Sequence, residues 1–549
     1  MIARDAALAA LADDEFDLLV VGGGITGAGV ALDAATRGYS VALVEKTDFA
    51  AGTSSRSSKL VHGGLRYLQN FDLGLVREAL LERQLLVKLA PHLVKPLKLV
   101  VPAFEGDRPD RLLGVGLNLY DVMAVDKLRG RRRRGGGNGE GEAWSPDRHR
   151  IIGGEEVIEL LPALAGREPT SGYLFYDCQT DDVRLVFTVL GEAERFGAVM
   201  ANRVEVSELE EGGARAIDVE SGRELHIRAA SVVNATGVWA DRLRPEELHD
   251  EAEVPVIRPS RGTHLLLSPE ALPLRAGAIV PAGGGRTIFA LPWMGRTLMG
   301  TTDNDYEGEL EHIRPAGEDV DYILEAANAF FGTSLARSDL VGAYAGVRPL
   351  ISTGDPKKSV DISRKAELYE TSSGMITITG GKLTTFRRMA KMTVDRLVER
   401  EARDAPCRTH EIPLGQAVDP GDLPRVEGVP EESYGALAAR YGHAAHDVLA
   451  VAAERGELAQ PIVEGLPDLL AEAAHATRTE QALSVGDVLL RRTRLGLLAA
   501  REVTGEAAER VAATLGAELG WDDARRADEI ARFRDEAVAE GLVVEPEPA

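Results

Sequence analysis

Apolar positions fall into short unbroken runs near the start of the chain and into helical spacing soon after. Asp17-Leu18-Leu19-Val20-Val21 predicts a buried strand that runs into Gly22-Gly23-Gly24-Ile25-Thr26-Gly27. Ala28 to Arg37 predicts a helix stopped by Gly38, and Ser40-Val41-Ala42-Leu43-Val44 a second strand closed by Glu45. Leu75 to Leu89 places Arg77, Glu78, Glu82 and Arg83 between apolar residues at helical spacing, the pattern of an amphipathic helix. The alternating run from Ala214 to Ile227, interrupted by Ser221-Gly222-Arg223, predicts a hairpin. Ser231 to Asn234 is an apolar strand leading into Ala235-Thr236-Gly237, and Met375 to Thr379 is another, leading into Gly380-Gly381 and a helix from Thr384 to Glu399. Residues 254–370 carry strand and turn signals that predict an antiparallel sheet, and Ser433 to Glu540 reads as helical with few strands.

Strand, glycine turn, helix, strand and carboxylate follow in the order a dinucleotide-binding unit needs. Gly22 permits the tight turn, Gly24 lets the backbone approach a pyrophosphate, and Gly27 lets the helix pack on the strand. The amides of Ile25 and Thr26 at the helix start suit phosphate charge. Glu45 lies about 20 residues beyond the glycines, where a carboxylate accepts from ribose hydroxyls. The acid leaves NAD and FAD open. The position close to the N-terminus and the second strand into Ala235-Thr236-Gly237 suit a flavoprotein. Gly52 to Leu68 is dense in hydroxyls, suited to pyrophosphate and flavin edges. Arg66 offers a planar fork that matches a phosphate.

The run Thr53-Ser54-Ser55 through Ser57-Ser58-Lys59-Leu60 and His62-Gly63-Gly64-Leu65-Arg66-Tyr67-Leu68 resembles FAD-dependent glycerol-3-phosphate dehydrogenase. Further matches follow in order: Tyr176-Asp177-Cys178, Asp181-Asp182-Val183-Arg184-Leu185, Val233 to Gly237, Arg261-Gly262-Thr263-His264-Leu265, Leu291-Pro292-Trp293 and Gly300-Thr301-Thr302-Asp303. Gly346-Val347-Arg348-Pro349-Leu350, Gly380-Gly381-Lys382-Leu383-Thr384-Thr385 and Asp487 to Arg494 complete the series. The resemblance runs from Phe16 to Arg494 and beyond. It implies an α/β fold: a Rossmann-like FAD domain of the glutathione-reductase/D-amino-acid-oxidase type, an antiparallel-sheet substrate domain and a C-terminal helical domain. The expected division is 16–403 for the oxidoreductase region, with cofactor parts at 16–100, 185–250 and 371–403 and substrate parts at 101–184 and 251–370. A linker at 404–423 and a helical domain at 424–549 follow. Two departures stand out: Val238, where many members carry proline, and the Arg129 to Gly137 insertion.

The resemblance implies FAD contacts at Gly22, Gly24, Ile25, Thr26, Gly27, Glu45 and Lys46. A second set is Thr53, Ser54, Ser55, Ser58, Lys59, Leu60, His62, Gly63 and Gly64. A third is Val204, Ala235, Thr236, Gly237, Gly381, Lys382, Leu383 and Thr384. It places Arg66, Tyr67, His264, Arg348, Arg364 and Lys382 around flavin and substrate. His264, Arg348 and Lys382 are the expected catalytic set; Arg66, Tyr67, His264, Arg348 and Arg364 are the expected substrate contacts. A phosphomonoester carries nearly two negative charges at neutral pH, so its pocket is cationic. His264 and His62 are both candidate bases, since neutral imidazole takes a proton near pH 7. The resemblance favours His264. Asp303 is expected to orient a donor. The implied reaction takes sn-glycerol 3-phosphate to dihydroxyacetone phosphate, with hydride passed to flavin N5 and electrons to membrane quinone. An oxidase using oxygen, an amine or amino-acid oxidase of the same fold, and a non-catalytic flavin protein are the alternatives.

The chain of 549 residues has room for two or more domains and a large core. Its net charge of −24 argues against general nucleic-acid binding. The glycines and arginines of Arg129 to Gly137 mark an exposed, solvated insertion, with contact to anionic lipid headgroups as the alternative. No apolar stretch reaches the roughly 20 residues of a bilayer span, so any membrane contact is expected to be peripheral. Met1 to Glu15 lacks the basic start and apolar core of a signal peptide. Two cysteines, Cys178 and Cys407, are too few for a disulfide framework or a cysteine-rich metal site and fit a reducing cytoplasm. The expected location is the inner face of the cytoplasmic membrane. The helical region offers a surface for a homodimer contact, and Glu545-Pro546-Glu547-Pro548 reads as a disordered tail.

Overall fold

The computed structural model describes residues 3–64, 72–105, 111–124, 148–243, 256–352, 366–371 and 374–543. An N-terminal helix, α1 (Arg4–Asp13), leads into β1 (Glu15–Val21), α2 (Ile25–Thr36) and β2 (Val41–Val44). β1 pairs in parallel with β2, Val20 opposite Leu43, and on its other side with Glu224–Asn234, Val20 opposite Val233. Val199–Ala201 extends the parallel sheet beyond β2, and Ile376–Gly380 extends it beyond Glu224–Asn234.

Side chains alternate across a strand, so an apolar run without breaks must be covered on both faces. Leu18 and Val20 pack under α2, Asp182–Arg195 and Phe386–Arg400. Leu19 and Val21 pack on the other face against Ala7, Leu8 and Leu11 of α1 and against Val204, Leu225 and Ile227. The hairpin and the strand into Ala-Thr-Gly prove to be one piece. Glu224–Asn234 is antiparallel to Gly213–Asp218 at its start and parallel to β1 at its end.

A second, ten-stranded sheet stands over the carboxyl ends of the first. Val256–Leu267 runs antiparallel to Leu340–Ser352, with His264 opposite Tyr344 and Ser260 opposite Arg348. The sheet continues through Arg296–Gly300, Thr287–Trp293, Gly277–Pro281, Lys95–Ala103 and Ser171–Gln179 to the short Leu60–Val61 strand. Strand signals alone miss one feature of this region, the Gly317–Phe331 helix. Its Val320, Ile323, Leu324, Ala327 and Phe331 recur at helical spacing and cover the sheet with Leu265, Leu267 and Met299.

The C-terminal region is helical, as its spacing predicts, with principal helices at Glu431–Tyr441, Ala445–Glu454, Leu470–Thr479, Ala508–Leu519 and Asp523–Ala539. Its core includes Leu266, Trp293 and Tyr344 from the second sheet, so the region is fused to that sheet by shared apolar packing. Segment 404–423 is irregular but anchored. Leu414 N donates to Leu89 O at 2.8 Å, and Ile412, Leu414 and Leu423 are buried. Among the described residues no helix is long and apolar enough to cross a membrane. The Arg129 to Gly137 insertion and the acidic tail lie outside the described residues.

Candidate functional site

The order of the parallel strands reverses at β1, and a cleft of about 970 Å³ opens there, at the carboxyl ends of β1 and Glu224–Asn234. Gly22 holds φ +110°, and a Cβ on it would lie 2.7 Å from Ala235 O. Only glycine suits that close crossing. A Cβ on Gly27 would lie 1.9 Å from Gly22 O, so this turn fits tightly against its own helix. Gly24, Ile25 and Thr26 bring the N-terminus of α2 to the cleft, where free amides and the helix dipole favour an anion. Ser54 Oγ accepts from Ile25 N at 2.9 Å.

Glu45 and Lys46 line the same cleft. The Glu45 carboxylate accepts from Gly23 N at 2.8 Å and from Thr47 N at 2.9 Å, and burial raises its pKa against those bonds. Lys46 Nζ stands 4.7 Å over the Trp239 ring. Val204, Ala235, Thr236, Gly237, Gly381, Lys382 and Leu383 complete this wall. A long cleft with backbone donors at one helix start and a carboxylate beside it fits a dinucleotide such as FAD, the pyrophosphate on α2 and a ribose near Glu45.

The hydroxyl-rich loop is held in several places. Thr53 Oγ1 donates to Val347 O at 2.6 Å, and Ser55 Oγ donates to Gly52 O at 3.2 Å. Ser58 Oγ lies 2.8 Å from His264 Nε2. Leu60 is buried opposite Gln179. His62 N donates to Thr384 Oγ1 at 3.1 Å, and its ring meets Phe289 edge-on. Gly63 N donates to the Tyr120 hydroxyl at 2.9 Å, and Gly64 takes φ +76°. Lys59 departs from its expected orientation. Its ammonium is fully buried and lies 2.8 Å from Asp182 and 2.6 Å from Ser55 O, so its side chain is an internal tie that does not line the cleft. Burial and the Arg494 charge pull its pKa down to about 7 against the pull of Asp182.

Above the cleft, His264 and Arg348 sit on adjacent antiparallel strands. His264 is 2% exposed and stacks on Tyr344 with ring centroids 4.7 Å apart. Burial, with Arg348 and Lys59 nearby, keeps its pKa well below the ordinary 6.5, so the ring is neutral. Arg348 Nη2 donates to Thr301 Oγ1 at 3.1 Å, and its Nη1 lies 3.3 Å from Asp303 Oδ1. Asp303 in turn accepts from Ser260 Oγ at 2.5 Å, so its carboxylate lies between that hydroxyl and the guanidinium. A Cβ at Gly262 would meet Arg348 Nη2 at 2.5 Å. Arg66, Tyr67 and Arg364 lie outside the described residues.

Sequence reasoning gave the C-terminal helices no part here, yet Phe533, Glu536 and Glu540 of the last helical stretch line the cleft. Glu540 pairs with Arg56 of the hydroxyl-rich loop and with His312 Nδ1 at 3.1 Å. Asp48, just after β2, accepts from Arg491 Nε at 2.5 Å and from Arg492 Nη2 at 3.0 Å. One signal for these contacts was present: Arg491, Arg492 and Arg494 follow the apolar run Val488-Leu489-Leu490, where buried arginines demand carboxylates from elsewhere.

Residues 17–396 match the family described as FAD dependent oxidoreductase, and residues 377–526 match the C-terminal domain of alpha-glycerophosphate oxidase. The chain is 39% identical over 511 residues to glycerol-3-phosphate dehydrogenase 1 of Mycobacterium tuberculosis, covering 90% of this chain and 94% of the relative. It is 35% identical to the aerobic glycerol-3-phosphate dehydrogenase of Bacillus subtilis, covering 89% of each. Among solved structures, the FAD complex of the glycerol-3-phosphate dehydrogenase from Bacillus halodurans aligns with a TM-score of 0.77 and 29% identity over 99% of both chains. With this geometry and these relatives, the chain belongs to the FAD-dependent glycerol-3-phosphate dehydrogenase/oxidase family.

Proposed function

We propose that the protein oxidises sn-glycerol 3-phosphate to dihydroxyacetone phosphate and passes the electrons to membrane quinone. The observation that carries this reading is the pairing of a buried neutral histidine, His264, with an aimed guanidinium, Arg348, on the pair of strands whose Pro349 lines the dinucleotide cleft. Arg348 holds the phosphate dianion, with Arg66, Tyr67 and Arg364 as further proposed substrate contacts. His264, held at Nε2 by Ser58, takes the proton of the substrate hydroxyl. Bound FAD would supply the acceptor for the hydride that leaves the carbinol carbon. Lys382, on the cleft wall, would supply positive charge to the pyrimidine edge of a bound flavin. His62 is tied to Thr384 through its backbone and serves the cofactor wall. Thr53, Ser54, Ser55, Gly63 and Gly64 shape the flavin side of the same wall.

Quinone as acceptor implies a peripheral position at the inner face of the cytoplasmic membrane, where the arginines of Arg129 to Gly137 would suit anionic lipid. The match of residues 377–526 to an oxidase C-terminal domain keeps oxygen as the competing acceptor. Turnover with sn-glycerol 3-phosphate in the presence of a soluble quinone analogue or of air separates the two. Dihydroxyacetone phosphate with stoichiometric quinol and little hydrogen peroxide supports the quinone reading. Peroxide equal to product, unchanged by quinone, assigns the oxidase. No product with either acceptor sinks both.

A further inference from the structure

We infer that a buried ionic cluster, Asp182–Lys59–Arg494, sets the geometry of the hydroxyl-rich loop from behind the cleft wall, with Arg494 of the C-terminal region as its positioning residue. Gly52, Thr53, Ser54 and Ser57 turn toward the cleft, so their backbone must be fixed from the side away from it. Asp182, at the start of the Asp182–Arg195 helix, supplies that hold. It accepts from Ser57 Oγ at 2.7 Å, from Ser57 N at 3.2 Å and from Lys59 Nζ at 2.8 Å. Arg494 Nη2 reaches across to Ser55 O at 3.0 Å and to Asp182 Oδ1 at 3.3 Å. Lys59 Nζ donates to the same Ser55 carbonyl.

All three side chains are fully excluded from solvent. Three charges are costly to bury, and the arrangement is tolerable only because nearly every donor and acceptor is met by another member or by the loop backbone. The hydroxyl of Tyr344, whose ring stacks on His264, adds a third hold by donating to Ser57 O at 2.7 Å. The next residue, Ser58, carries the constraint to His264 Nε2. Displacing the loop therefore disturbs both the cofactor wall and the imidazole. Guanidinium suits this place because its planar fork holds Leu490 O through Nη1 while Nη2 meets Ser55 O and Asp182. The part of the inference that passes through His264 rests on the proposed reaction; the part that concerns the cofactor wall does not.

The test uses the full chain and three single variants: Arg494→Lys, Tyr344→Phe and Arg440→Lys. Arg440 is the control, since it too is buried, between Asp468 and Glu472 in the helical core, and its ion pairs lie away from the loop. Each variant is stripped of flavin and titrated with FAD, and the visible circular dichroism of bound flavin and the melting temperature are recorded. Arg494→Lys is expected to weaken FAD binding roughly tenfold or more, the size of one lost buried charge-assisted hydrogen bond, and to change the dichroism of the flavin that remains. Tyr344→Phe is expected to weaken it about threefold, as for one neutral hydrogen bond, and it carries the test if Arg494→Lys does not fold. Arg440→Lys is expected to lower the melting temperature while leaving FAD affinity unchanged.

The inference is overturned if the Arg494→Lys protein, or Tyr344→Phe in its place, binds FAD with wild-type affinity and wild-type dichroism. It is equally overturned if Arg440→Lys weakens FAD as much as Arg494→Lys, because the effect then follows from general loosening. FAD affinity is measured without substrate. A wild-type protein that fails to react with sn-glycerol 3-phosphate would therefore sink the proposed reaction and leave this result standing.

Discussion

At the junction between the helical region and the cofactor sheet, Arg492 is fully enclosed and gives its guanidinium to Asp48, with Glu480 at 3.4 Å. On the substrate-side sheet, Arg348 is 22% exposed, and its contacts of 3.1 to 3.3 Å are mainly to the neutral oxygens of Thr301 and Thr302. The two side chains are chemically identical, and their surroundings divide the work between them. Where carboxylates close round a guanidinium, its charge is consumed in holding segments together. Arg348 is held by one carboxylate, Asp303, and by neutral oxygens, and it is the arginine to which the proposed reaction gives the substrate phosphate. The cationic cluster with the closest ion pairs is thus the structural one.

The largest effect expected from this contrast is on stability. Asp48→Ala leaves Arg491 and Arg492 buried without their shared carboxylate, a change that costs about 3–5 kcal/mol. Thermal unfolding should show a drop of many degrees, with loss of bound flavin. A melting temperature within experimental error of wild type would mean that the junction cluster is idle.

Arg348→Ala should do the reverse. Its melting temperature should stay close to wild type, while kcat/KM for sn-glycerol 3-phosphate falls by about 2–4 kcal/mol, roughly 30- to 1,000-fold. Steady-state kinetics beside calorimetry would separate the two arginines directly.

The pH dependence is smaller and has a defined sign. Burial works against Glu480 and Glu540, but Arg184 and Arg56 respectively outweigh it and hold both carboxyls down to about 2. Their stabilisation is present above the ordinary carboxylate pKa and is lost as pH falls toward 2. Burial keeps His264 below 6.5, so the unfolded chain takes up that proton first and the same direction applies below pH 6.5. Melting at pH 3.5 should therefore lie well below melting at pH 7. A curve flat across that interval would remove the junction carboxylates from the account.

The smallest effect belongs to Asp303→Asn. It keeps an oxygen for Ser260 and Arg348 but removes a charge, so KM should rise only a few-fold with stability unchanged. A loss as large as that of Arg348→Ala would give Asp303 a larger part than aiming the guanidinium.

The cofactor half of the fold was readable because backbone rules dictate it. Gly22 must take a positive φ, Gly27 must let helix and strand touch, and the runs at β1, β2 and Glu224–Asn234 are apolar throughout because both faces are covered. The Gly317–Phe331 helix was missed although its apolar spacing is regular, because strand signals on both sides dominated the region. N-terminal α1 and the clasp between Arg56 and Glu540 were not legible for a different reason. They depend on contacts across hundreds of residues, such as Arg4 to Asn202 O and Arg56 to Glu540, and no local pattern encodes such a pairing. Lys59 shows the same limit at one residue. The resemblance implied a cofactor contact for it, and only the arrival of Asp182 and Arg494 from distant segments turns its side chain inward.

The most direct measurement is anaerobic reduction of the bound flavin by sn-glycerol 3-phosphate, followed at the flavin's long-wavelength band in the wild type and in Arg348→Ala. Rapid bleaching of the wild type, none with glycerol, and slow bleaching of an Arg348→Ala protein that holds FAD normally is the predicted result. A wild-type flavin that stays yellow, or an Arg348→Ala protein that bleaches as fast as wild type, would contradict the assignment of charge to the substrate-side sheet.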